Sequence, residues 1–184
     1  AGEYTVVINK GKESYETKIQ VDYTKNSIFS LAERKQQFEA SKMLYDMNEE
    51  LAYMVYVMDE YISHSENTVK ENSKMKKTGL KLTKELNDLK KVLVITSGDN
   101  YVGTVENQLR EKMSDIYGAV AGYYGAPTKT QMENVALIEG EMNSARKNYS
   151  SIQSGSLSKY VNALKKNEIT APNLKTFEEY VKKD

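Results

Sequence analysis

His64 is the only histidine in the chain, and Glu60 stands four residues before it. On a helix that spacing sets an imidazole and a carboxylate on one face, the start of a cation site or a proton-transfer pair. A zinc-type site needs three or four ligands, and the chain adds no cysteine to these two. His64 is therefore expected as a surface residue near a helix C-terminus. Two carboxylate pairs, Glu49-Glu50 and Glu178-Glu179, are the candidates for glycosidase-type chemistry. Neighbours on a helix diverge by about 100°, so neither pair can close on one substrate. Gly98-Asp99-Asn100-Tyr101-Val102-Gly103 reads as a loop with a lone acidic residue, without a cation-loop pattern. A glycine-rich phosphate loop, a Gly-x-Ser-x-Gly elbow and a nucleophile–base couple are all missing. The residue types predict a chain that is not an enzyme and carries no catalytic residue, cofactor or metal.

Composition narrows the partners. Lysine plus arginine and aspartate plus glutamate each number 26, so the basic excess of a nucleic-acid binder is missing. No run approaches the roughly 18 apolar residues of a membrane span, so no membrane insertion is expected. Eight lysines lie between Lys70 and Lys91, but no aromatic stands between Val69 and Leu93 to stack on a base. Six acidic residues and no cation occupy 46–66. The two runs predict that a second helix folds back beside the first, lysines against carboxylates.

The elements that would position these groups are a hairpin and helices. Tyr4, Val6 and Ile8 alternate along one run, and Tyr15, Thr17, Ile19 and Val21 along the next. Asn9-Lys10-Gly11-Lys12 joins them, with Gly11 supplying the positive φ of a tight turn. A two-stranded hairpin is marginal alone. Residues 1–27 are expected as the remnant of an upstream β-sandwich, with a self-contained hairpin packed on the bundle as the alternative. The opening Ala1, with no leader segment, agrees with an excised piece of a longer chain.

Residues 28–184 predict a mainly α domain, an antiparallel up-down bundle of four to five long helices. Ser30 and Glu33 have capping-box spacing, and Phe38, Leu44, Met47, Leu51, Met54, Met58 and Ile62 make a stripe over 30–63. A second helix is expected over 66–95 and a third over 104–124. Thr128 and Gln131 cap a fourth, with Met132, Val135, Ile138, Met142, Ala145, Tyr149 and Ile152 as its stripe. Ser154-Gly155-Ser156 is expected to bend or split it before Leu157, Val161 and Leu164. Past Pro172, Leu174, Phe177 and Val181 predict a last short helix.

Leu51 to Met58 is apolar without a break, and Tyr45, Tyr53 and Tyr56 fall roughly opposite the core stripe. A helix apolar on two sides is usually covered on two sides. The cover is expected from the hairpin, from the tail near Phe177, or from a partner, which makes these tyrosines the candidate interaction face.

Gly2-Glu3-Tyr4-Thr5-Val6, Gly11-Lys12 and the run to Val21-Asp22 resemble the closing strands of Ig-like or fibronectin-like modules in bacterial exported proteins. With the junction into a long helix and Ala126-Pro127-Thr128 ahead of another, the chain is similar to the C-terminal region of sortilin-type (sialidase-repeat, glycosyl-hydrolase-like) β-propeller proteins. That resemblance implies a secreted or periplasmic multidomain protein in which this chain is a non-catalytic structural or partner-binding domain. Its partner would be the rest of the parent chain, a β-sandwich or β-propeller, or another protein. The alternatives are a self-associating adhesin or sensor-type bundle, hence a homo-oligomer, and an accessory domain for glycan or peptide.

Overall fold

The computed structural model describes residues 1–96 and 105–182. It is mainly helical, with an N-terminal antiparallel hairpin followed by a bundle. Strand β1 (Gly2–Lys10) pairs with β2 (Glu13–Val21) in unbroken register from Gly2↔Val21 to Lys10↔Glu13. The turn is Gly11-Lys12, with Gly11 at φ 61°, the left-handed value a two-residue turn takes at its first position.

Helix α1 (Leu31–Glu71) starts at the expected box: the Glu33 N–H donates to Ser30 Oγ at 3.2 Å, and the Ser30 N–H donates back to Glu33 Oε2 at 2.7 Å. The helix does not stop near residue 63. It runs on to Glu71, 41 residues or roughly 60 Å, because nothing in 64–71 breaks it and Ser65 and Thr68 are buried against the bundle. The break comes at Asn72, whose side chain accepts from the Lys74 N–H at 3.0 Å and opens a short 3-10 turn, Ser73–Met75.

Helix α2 (Lys76–Leu93) then packs back along α1 through Leu82, Leu86, Leu89 and Leu93. The two approach closely at Gly79. A Cβ there would stand 2.4 Å from Val69 Cγ2 and 2.9 Å from Ser65 Oγ, so only glycine fits. Helices α3 (Leu109–Ala121) and α4 (Lys129–Ile152) complete the core around α1. The expected start of a third helix at 104 lies outside the described residues, as does Gly98–Gly103; α3 begins at Leu109. Thr128 and Gln131 form the expected box, and the Gln131 amide also donates to Ala119 O at 2.9 Å, tying the end of α3 to the start of α4.

The last long helix is divided at Ser154-Gly155-Ser156, as expected, though without leaving helical backbone. A π turn, Gln153–Leu157, carries α4 directly into α5 (Ser158–Lys166). The wider turn rotates the face that follows, so Ser156 and Tyr160 are buried together with the expected Leu164, while Leu157 and Val161 are half-buried and Leu157 still packs against the core. Two other stripe positions differ. Phe38 is 60% exposed, because it lies two residues, or 200° of rotation, from the core position Ala40. Met132 is also exposed, in the first turn of α4, on the rim of a groove shared with Ala40 and Met43.

The charge pattern resolves differently from the expectation. Among the described residues one lysine of α2 crosses to α1, Lys90 to Asp59 at 2.5 Å. Lys81, Lys84 and Lys91 pair with Glu85 and Asp88 on their own helix. The acidic face of α1 is met instead by Arg146 of α4, whose Nε and Nη2 donate to the two Glu50 oxygens at 2.8 and 2.6 Å. The fork geometry of arginine makes that two-bond contact, which an ammonium cannot.

Candidate functional site

Tyr53 and Tyr56 sit three apart on α1, one turn of the face opposite Leu51 and Met58. Their cover is the tail, of the three expected covers. Past Lys166 the chain closes α5 with a Schellman turn: the Ile169 N–H donates to Leu164 O at 3.0 Å and the Glu168 N–H to Lys165 O at 3.2 Å. It then crosses α1 and ends in α6 (Phe177–Val181). Tyr56 stacks on Tyr180 with centroids 5.0 Å apart and planes 25° apart. Tyr53 meets Phe177 edge-on at 5.4 Å and Tyr180 at 5.5 Å.

The two hydroxyls do more than stay wet. Tyr53 Oη donates to the Lys175 carbonyl at 3.0 Å, and the Lys175 N–H donates to Tyr56 Oη at 3.2 Å. Both backbone groups of one extended residue are thus held by phenols. One residue on, Thr176 and Glu179 form a capping box, with bonds of 3.2 and 2.8 Å, that fixes the start of α6. Thr-x-x-Glu is the same spacing that marks the starts of α1 and α4, so this signal was present in the sequence and was passed over. The clamp on Lys175 had no sequence signal, because it joins residues about 120 positions apart through a backbone that any side chain could carry.

Tyr45 does not join the other two. It is 45% exposed, about two turns before Tyr53, and its hydroxyl donates to Glu49 at 2.5 Å. That bond, with the Glu49 charge behind it, holds the Tyr45 phenol above its usual range. The candidate face therefore divides into a covered pair and one open tyrosine.

His64 is half-buried rather than free on the surface. Nδ1 meets the fully buried Tyr160 hydroxyl at 2.8 Å, and Nε2 meets the Thr170 carbonyl at 2.9 Å. A carbonyl only accepts, so Nε2 carries the proton and Nδ1 accepts from Tyr160. Both ring nitrogens are engaged, Nδ1 with α5 and Nε2 with the start of the tail. Glu60 is exposed and does not join them. Among the described residues no three His, Cys, Asp or Glu side chains gather as a metal cradle. Glu49 and Glu50 separate to Tyr45 and Arg146, and Glu179 is spent on its cap. Asp99 lies outside the described residues. No described helix is long and apolar enough to cross a membrane.

The hairpin is the other surface of note. Its register places Tyr4, Val6, Ile8, Tyr15, Thr17, Ile19 and Val21 on one side, and Glu3, Thr5, Val7, Asn9, Ser14, Glu16, Lys18 and Gln20 on the other. Among the described residues no helix packs on either side. Tyr4, Ile8 and Tyr15 are 52%, 59% and 55% exposed. Behind it, Arg34 lies between the rings of Tyr23 and Tyr124, 4.8 and 4.4 Å from their centroids, and holds the linker to the corner between α3 and α4.

In comparisons with known proteins no family model matched the chain, and no curated protein or solved structure matched it.

Proposed function

We propose that this chain is a non-catalytic interaction domain of a larger exported protein, and that it docks onto a β-layer through the apolar side of its hairpin. The observation that carries the proposal is the sorting of the two strands: all their large apolar side chains but Val7 lie on one side, with no helix against it. Burying a side chain of this size stabilises by roughly 1.5–3 kcal/mol, and two strands alone are marginal in water. Charge on that side is confined to Lys10 and Glu13 at the turn, so a matching surface is uncharged along most of its length. A sheet face stacked about 10 Å away meets that description. The exported setting rests on the resemblance to closing Ig-like strands. The absence of catalysis is supported by the engagement of His64, Glu49, Glu50 and Glu179 in contacts within the fold.

The test is amide exchange on two proteins, the chain alone and the chain extended by the residues its gene encodes ahead of Ala1. In the chain alone, the amides of β1 and β2 should exchange within seconds while those of α1 stay protected. In the extended protein the hairpin amides should gain at least tenfold protection, and Ile8→Asp should remove it. Equal hairpin protection in both proteins would overturn the proposal.

A further inference from the structure

The tail contact has the parts of a peptide-recognition site. Two tyrosines grip the N–H and C=O of one extended residue, Lys175, and thereby read backbone without regard to side chain. Two aromatics three apart on a capped turn, Phe177 and Tyr180, then fill the rings behind the clamp. No residue of α6 is buried, so its hold on the bundle is local to this patch. We infer that the Tyr53–Tyr56 pair is a peptide-binding site occupied in cis by the chain's own tail, and that it takes the same tail from a second copy.

Nothing in the hairpin enters this inference. A magnitude follows from the cis contact itself. The tether from Lys166 to Lys175 is short, and such linkers give effective concentrations of order millimolar. For the tail to rest on its site, its affinity in trans must correspond to a dissociation constant below about 1 mM. The same tether keeps the native chain closed at lower concentrations, so exchange has to be looked for where the cis contact is disabled.

Two full-length variants do this. Phe177→Ala with Tyr180→Ala strips the cis tail of its rings and leaves it only the backbone clamp, which opens the site to competition, and Tyr53→Ala with Tyr56→Ala releases the tail beyond Thr170. Titrating the unlabelled second into the isotope-labelled first should give a 1:1 complex with a dissociation constant below about 1 mM. Resonance shifts should be confined to the turns of α1 around residues 51–59. A chain carrying all four substitutions should give no shifts there. Association through the hairpin would instead move residues 2–21 in both titrations. Absence of shifts at 51–59 up to 1 mM, with both variants folded by circular dichroism, overturns the inference. Should the alanine pair on α1 loosen the bundle, Tyr53→Phe with Tyr56→Phe is placed in the open-site chain. The rings then remain, only the clamp is lost, and the tail of the native sequence supplied as a peptide of residues 170–182 should bind about tenfold more weakly than to the hydroxylated site. Equal binding would also overturn the inference.

Discussion

The hairpin and the tail are both short segments at the ends of the bundle, and they end in opposite situations. The tail brings two aromatics and a capped turn to α1 and finds there a ring pair and two hydroxyls placed to receive it. The hairpin brings a larger apolar surface, and among the described residues no helix receives it. Amount of apolar surface therefore does not decide which segment is covered. The tail has shape and hydrogen-bond partners matched at both ends of the contact, and its anchoring bond from His64 fixes where it starts. Behind the base of the hairpin, Arg34 stacks between Tyr23 and Tyr124 and holds the linker.

The largest effect should come from the rod that carries the tail. Leu51 is fully buried on α1, two residues before Tyr53 and five before Tyr56. Leu51→Ala should cost roughly 2–5 kcal/mol in urea unfolding of the bundle. Hairpin signals should stay unchanged until the bundle itself unfolds. A loss under 1 kcal/mol would mean that α1 is not the common support.

The next effect is alkaline and lies on the tail side. Burial pushes the Tyr149 phenol up to about 12, with Tyr53 and Tyr61 adding like charge nearby. Below pH 10 this tyrosine is protonated in both folded and unfolded chains, and its contribution is whole. Between pH 10 and about 12 the unfolded chain ionises it while the folded chain resists, so stability falls as pH rises. The melting temperature should drop across that window, and Tyr149→Phe should make the drop shallower. Parallel pH profiles for the two proteins would sink this.

A direct contrast of the two segments is Tyr180→Ala against Ile8→Ser. Tyr180 loses a stacked and a tilted ring partner and should cost about 1–2 kcal/mol, read as earlier exposure of the tail in amide exchange. Ile8 leaves only solvent and a cross-strand neighbour, so its change should stay within about 0.5 kcal/mol in the isolated chain. Equal costs would erase the distinction between a seated and an unseated segment.

How much of this was legible follows the range of each signal. The caps at Ser30 and Thr128 and the Leu82, Leu86, Leu89, Leu93 stripe depend on residues three and four apart, and they appear as read, whereas Val69, expected at the head of that stripe in a helix from 66, belongs to α1 and the second helix begins at Lys76. The hairpin register follows from alternation and a glycine. Failures came where one local event rephased a long element. The π turn at 153–157 added Ser156 and Tyr160 to the buried side and left Leu157 and Val161 half-buried, and no pattern of period 3.6 anticipates an inserted residue. The role of His64 depends on Tyr160 and Thr170, about a hundred positions away, so its local setting suggested a surface residue. At the candidate site, the tail was one of three covers the tyrosines allowed, but the clamp that makes it specific is a backbone contact.

The smallest effect concerns the hinge from which the tail departs. Glu168 occupies the residue after the cap of α5 at φ 55°, the left-handed position of the Schellman turn, where glycine is the usual choice. A side chain there costs on the order of 1 kcal/mol of local strain, offset in part by the lower entropy of a non-glycine residue in the unfolded chain. Glu168→Gly should therefore stabilise the bundle by about 0.5–1 kcal/mol in thermal unfolding while leaving the Tyr56–Tyr180 contact intact. Should the variant instead be destabilised, the left-handed turn is held by contacts of the Glu168 side chain rather than tolerated in spite of it. The tail would then owe its direction to that residue as much as to His64.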